Sequence, residues 1–239
     1  MKVCYTALRM KLISLNIEGE EHPETVFPFL QTEAADVVCL QEAPEEWCEE
    51  LHALGYHTTF APMLIRDTQP EYTEGIILAS KEAHNATTYY YRRSAEDITV
   101  YVKRGDTTIA HPVIIASVLV ENEHFVVAGT HVMVTMDGRA DDQQRLGVQK
   151  LLSILADQEP HVLCGDFNMP RGVNELYADV TKFYIDAIPP EYPSSLDKNL
   201  HRLGQSDALN EPIFESYMVD YIFTQLPYHA TDVRLQFGV

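Results

Sequence analysis

Val162-Leu163-Cys164-Gly165-Asp166-Phe167-Asn168 is the stretch on which the fold turns. Its first half is a short apolar run closed by a glycine, as in a buried strand. Its second half sets an aspartate and an asparagine at the strand end. A charged or amide side chain behind such a run is costly to bury unless it is paired or bound to a cation. The same arrangement recurs along the chain. Leu15-Asn16-Ile17 closes a strand predicted over Lys11–Ile17, and Leu40-Gln41-Glu42 closes one over Val37–Gln41. Gly129-Thr130-His131 lies in Phe125–Val132, and Met218-Val219-Asp220-Tyr221-Ile222-Phe223 sets Asp220 inside an apolar strand. Strand ends pointing one way would gather these groups in one pocket.

Working outward, Gly75–Ser80, Val113–Val120, Val162–Gly165, Met218–Phe223 and Val233–Phe237 also read as strands. Most are apolar on both faces, which predicts sheets covered on both sides. Helices are expected over Pro23–Thr32, Pro44–Leu54 and Asp141–Ala156. In the third, Leu146, Leu151 and Leu155 form the apolar stripe. The second opens on Pro44 with Glu45 and Glu46 and ends before Gly55, in keeping with helix-end preferences. Glu45, Glu46, Glu49 and Glu50 read as its solvated face. Tyr89-Tyr90-Tyr91-Arg92-Arg93 reads as an edge strand or loop. The segment from Ile188 to Gly204 has no periodicity, and a long loop of that kind is often functional. The whole reads as one domain over residues 1–239, an α/β sandwich of two sheets with helices outside.

The 239 residues are 46% hydrophobic and 22% charged, which excludes a disordered or collagen-like chain. Seventeen Lys and Arg against 36 Asp and Glu give a net charge of −19. Such a field repels nucleic acid and anionic membrane unless a basic patch or bound cations offset it. It does not exclude phosphate substrates, because a divalent cation site itself needs carboxylates. Asp, Glu and Asn oxygens are the donors that Mg²⁺ or Mn²⁺ prefers. His131 adds a group able to bond or move protons near neutral pH. Cys4, Cys39, Cys48 and Cys164 lack zinc-knuckle spacing; Cys39 and Cys164 read as buried small apolar residues. A reducing, cytoplasmic compartment is the expectation. The apolar runs are too short to span a bilayer, and no signal-peptide core is present.

In their order these pieces resemble the endonuclease/exonuclease/phosphatase family, the group of DNase I-like nucleases, abasic-site endonucleases, neutral sphingomyelinases and inositol polyphosphate 5-phosphatases. Gly165-Asp166-Phe167-Asn168 is the most specific motif and Leu40-Gln41-Glu42 the next. The resemblance implies a four-layered α/β sandwich, two mixed β-sheets face to face with helices outside. It also implies a phosphodiester or phosphomonoester hydrolase using Mg²⁺ or Mn²⁺, on nucleic acid, phospholipid or inositol phosphate. By that resemblance Glu42 is the metal glutamate, Asn16 the asparagine beside it, and Asp220 a further carboxylate of the metal site. Asp166 activates or orients the attacking water, Asn168 holds the phosphate, and His131 contacts it. Glu74 is the acid that orients that histidine, and Arg145 matches an arginine opening the helix after the histidine strand. From the residues alone, Asn199, His201 and Arg202 form a loop suited to phosphate contact.

One departure bears on activity. The family closes on a Ser-Asp-His motif whose histidine is its principal proton-transfer residue. Here Ser206-Asp207 is followed by Ala208, and the sequence stops at Val239. The expectation is a truncated chain that folds with an open sheet edge beside Asp220 and turns over slowly. The competing expectation is a non-catalytic binding or scaffold protein on the same fold. A native start at Met1 or at Met10 is left open.

Overall fold

A computed structural model describes residues 9–19, 21–101, 108–135, 137–201, 215–236 and 238. Ten strands and four α-helices are described. The strands are β1 (Leu12–Asn16), β2 (Val37–Pro44), β3 (His57–Arg66), β4 (Tyr72–Ser80), β5 (Asn85–Arg92), β6 (His111–Val120), β7 (Glu123–His131), β8 (Val162–Asp166), β9 (Ile185–Asp186) and β10 (Asp220–Thr224). The helices are α1 (Pro23–Glu33), α2 (Trp47–Ala53), α3 (Asp142–Ala156) and α4 (Leu176–Val180). One sheet has the order β1-β2-β4-β3 and the other β5-β6-β7-β8-β10-β9. Each is mixed: β1 and β2 are parallel, β7 and β8 are parallel, and the other pairs are antiparallel.

Side-chain alternation builds the layers. On β2, Val38 and Leu40 face out and pack with Val26 and Leu30 of α1 and Trp47 and Leu51 of α2. Val37 and Cys39 face in, against Ile114, Ala116, Val127 and Cys164 of the other sheet. Beyond that sheet, Val148, Leu151 and Leu155 of α3 and Leu176 and Val180 of α4 meet Ala128, Leu163, Tyr221 and Phe223. Three apolar interfaces therefore separate four layers, the arrangement the two-sided strands predict.

Several local expectations are corrected. Pro44 ends β2, and the second helix starts only at Trp47. Leu146 is 60% exposed, and the buried stripe of α3 is Gln144, Val148, Leu151 and Leu155. Leu151 and Leu155 hold their places, but Leu146 stands five residues before Leu151, about 140° round the helix and so off the buried stripe. Val233–Gln236 is not paired as a strand, and Phe237 lies outside the described residues. On the sheet edge beyond β10, β9 pairs with Phe223 and Thr224. β5 is the other edge strand of that sheet, as expected. No helix among the described residues is long and apolar enough to cross a membrane.

Candidate active site

Both sheets end at one place. Asn16 closes β1, and its Nδ2 donates to Glu42 Oε1 at 3.1 Å and across the sandwich to Asp166 Oδ2 at 3.0 Å. Glu42 reaches that point through a break in the ladder. The β2–β4 register shifts between Leu40 and Ala43, and Glu42 sits at φ +54°. A bulge of this kind re-aims one side chain, and the left-handed backbone costs about 1–3 kcal/mol that the surrounding sheet must offset.

On the second sheet, β7 and β8 run parallel with His131 beside Asp166. β10 runs antiparallel to β8 with Asp220 opposite Asp166. Asn168 follows at φ +50°, a conformation that asparagine tolerates well. Its backbone N–H donates to Asp166 Oδ1 at 2.8 Å, and its Nδ2 lies 3.2 Å from His131 Nε2. His131 Nε2 is also 3.6 Å from Asp166 Oδ2 and 4.0 Å from Glu42 Oε1. Asn16, Glu42, His131, Asp166, Asn168 and Asp220, each singled out in the sequence, thus meet where the sheets meet.

Glu74 has a different principal partner from the one expected. It is buried at 3% exposure and takes a two-pronged bond from Arg66, Nε to Oε2 at 2.5 Å and a terminal nitrogen to Oε1 at 2.8 Å. Arg66 also lies 3.7 Å from Glu42 Oε2 and stacks over the Tyr101 ring. Sequence reading missed Arg66 because it ends β3, a strand hidden by Thr58, Thr59 and Pro62. Pro62 is tolerated because β3 is an edge strand.

His131 is held from behind. Its carbonyl accepts from Tyr91 Oη at 2.9 Å, and His111 Nδ1 lies 2.9 Å from the same oxygen. Burial pushes His111 down to about 3, so it is neutral and Nδ1–H donates that bond. Burial also raises the Tyr91 hydroxyl, which stays protonated and also lies 3.0 Å from Thr130 Oγ1. The Asn168 loop is pinned by Gln144, 1% exposed, whose Nε2 donates to Met133 O and Asn168 O. Gln144 accepts in turn from Asn174 Nδ2 at 3.0 Å. The signal for Gln144 in the sequence was a polar residue at helical spacing from Val148 and Leu151.

The remaining residues expected at the site are dispersed. Arg145 is on the exposed face of α3, paired with Asp142 and Glu175. Asn199 is exposed, and its backbone N–H donates to Asp197 Oδ1. His201 Nε2 lies 3.3 Å from Glu18 Oε1, two residues past Asn16. Arg202 and Ser206-Asp207 lie outside the described residues.

The charge in this place is lopsided. Glu18, Glu42, Glu74, Asp166 and Asp220 face Arg66 and two imidazoles. Burial pushes Asp166 up to about 7, with the Glu42 and Glu18 charges adding to the rise. Burial and then the Asp166 charge push Asp220 up to about 8. Burial also lifts Glu74, against the pull of Arg66. Asp220 Oδ1 is shielded from water and has no hydrogen-bond partner. An excess of buried oxygen donors with one left unbonded is what a hard divalent cation satisfies. The residues present therefore fit such an ion.

A sequence search among curated proteins gives no match. In three dimensions the chain is similar to the human Nocturnin catalytic domain with bound sulfate, at TM-score 0.59 and 18% identity over 90% of this chain and 82% of that one. It is similar to ANGEL2, a 2',3'-cyclic phosphatase, at TM-score 0.56 and 14% identity over 93% and 88%. It is also similar to the Bacteroides thetaiotaomicron mannosyl-6-phosphatase, at TM-score 0.57 and 14% identity over 92% and 85%. At these identities the likeness is one of fold. The sequence model described as Endonuclease/Exonuclease/phosphatase family matches residues 13–232, from β1 past β10, and the chain belongs to that family.

Proposed function

We propose that this chain is a metal-dependent phosphoester hydrolase. What carries the reading is the meeting of Asn16 and Glu42 from one sheet with His131, Asp166, Asn168 and Asp220 from the other. Glu42 and Asn16 would hold Mg²⁺ or Mn²⁺, with Asp220 a further carboxylate facing the site. The ion, when bound, would neutralise phosphate charge and polarise phosphorus. Asp166 is a buried carboxylate whose raised pKa suits it to accept a proton from water near neutral pH. Its Oδ1 stays oriented by the Asn168 N–H and its Oδ2 by the Asn16 amide. Asn168 Nδ2 donates to His131 Nε2, which sets the amide and the ring side by side where phosphate oxygens would sit, a preorganised polar arrangement that favours charge developing in the transition state. Glu74 and Arg66 brace Glu42 from the far side.

The substrate is a phosphoester: nucleic acid, phospholipid, inositol phosphate or another phosphomonoester. Fold neighbours named as a 2',3'-cyclic phosphatase and a mannosyl-6-phosphatase act on phosphoesters of two kinds, so the range to test is wide. The test is a panel of mono- and diesters, including bis(p-nitrophenyl) phosphate, with Mg²⁺ or Mn²⁺. The parent is expected to turn over at least one member, and Asp166→Asn and Glu42→Gln to lose at least ~10²-fold in rate. Metal-independent turnover, or equal rates in parent and variants, would overturn the proposal.

A further inference from the structure

We propose that Glu18, Glu21 and His22 form a second metal site, one that takes a borderline transition ion such as Zn²⁺ in preference to Mg²⁺. The chain turns sharply after Asn16, with Glu18 at φ +53° and Gly19 at φ +86°. Two carboxylate oxygens, from Glu18 and Glu21, and one ring nitrogen of His22 lie within 4.8 Å of one another. Two carboxylates this close repel unless a cation joins them.

A separate observation points to a ligand. His22 Nε2 is shielded from solvent and has no hydrogen-bond partner. A ring nitrogen in that state is costly, and a metal satisfies it. His22 is fixed by its place at the start of α1, where its carbonyl accepts from Thr25 and Val26 N–H. His201 Nε2, 3.3 Å from Glu18 Oε1, supplies a second imidazole at the same carboxylate.

The donor set decides the ion. Carboxylates with one or two imidazoles suit Zn²⁺ in four-coordinate geometry, whereas Mg²⁺ prefers oxygen alone. The neighbouring Asn16, Glu42 and Asp220 offer a different set, two carboxylates and an amide. The two places thus differ in chemical hardness, and an ion at Glu18 would tie the turn after β1 to the loop carrying His201. This inference is independent of the proposed hydrolysis.

The experiment uses the whole chain, freed of metal, in excess Mg²⁺. Co²⁺ is added as an optical reporter, and Zn²⁺ by calorimetry. The expected result is one tight Zn²⁺ equivalent and a visible four-coordinate Co²⁺ spectrum, both kept in Glu42→Ala. Removing groups one shell out from a metal costs about 10–100-fold in affinity, so loss of a direct ligand should cost at least that. His22→Ala and, independently, Glu21→Gln should each show it, with circular dichroism unchanged from the parent. Zn²⁺ affinity unchanged in either variant, or lost in Glu42→Ala, would overturn the proposal.

Discussion

Replacing Gly165 with alanine is expected to cost about 4 kcal/mol of stability. Gly165 sits at φ +144°, where a side chain is strained, and that strain alone is worth about 1–3 kcal/mol. An added Cβ would also run into the Thr130 carbonyl oxygen and stand 2.9 Å from its carbonyl carbon. Carbon atoms pack at about 3.5–4.0 Å, so β7 would have to retreat from β8 by roughly 0.6 Å or more. Loosening the two ladder bonds flanking Thr130 adds about 1 kcal/mol each. The sum is a large share of the ~5–15 kcal/mol that holds a typical domain together. The same retreat would draw His131 away from Asp166, its register partner, so activity should fall as well. Gly172→Ala is the control: φ is +78° there but nothing lies within 4 Å, so only the backbone cost of about 1 kcal/mol applies. Urea unfolding followed by circular dichroism reads the difference. A Gly165→Ala chain no less stable than Gly172→Ala would refute the reasoning.

Stability without metal should fall as pH rises through the neutral range. Asp166 and Asp220, lifted from 3.8 to about 7 and about 8, hold protons in the folded chain that the unfolded chain has released, so folding is favoured below that window and loses ground across it. Mn²⁺ displaces those protons, so its gain in Tm should be larger near pH 8.5 than near pH 6, and equal gains would contradict the assignment. Arg66→Ala strands Glu74 as a buried unpaired charge and should cost about 3 kcal/mol in urea unfolding, with Arg66→Met/Glu74→Gln recovering more than half. Asn168→Ala should lower kcat by ~10²-fold with little change in KM, and a purely KM effect would assign it to ground-state binding. Arg145→Ala should leave turnover of small phosphodiesters unchanged, since its side chain is engaged by Asp142 and Glu175 on the surface.

The central strands were legible because both of their faces are buried. Val37–Gln41 and Val113–Val120 read as apolar but for Gln41 and Ser117, and they lie inside the sandwich. The edges were harder. β3 begins His57-Thr58-Thr59 and contains Pro62, a pattern that resembles a loop until β4 is seen beside it. The second helix was misplaced because Pro44 suits a helix start, while a bulge at Glu42 carries β2 through that proline. The groups around Asp166 were legible as polar residues stranded at the ends of apolar runs. Arg66, Tyr91, His111 and Gln144 were not: Arg66 ends a strand that was itself unread, and the other three earn their places through partners far along the chain. His111 meets the His131 carbonyl 20 residues on, and Gln144 meets Asn168 after 24.

Asn16 spans the seam between the sheets with one amide nitrogen, bonded to Glu42 on its own side and to Asp166 on the other. That makes the amide a gauge of sandwich thickness. Any change in the apolar filling between the sheets, at Cys39 against Cys164 or Ile76 against Ile114, would be transmitted to the gap between Glu42 and Asp166. In the proposed hydrolase, turnover would then be tunable from behind, by apolar groups set between the sheets. High pressure, which squeezes such internal packing, should alter catalytic rate well before it unfolds the chain.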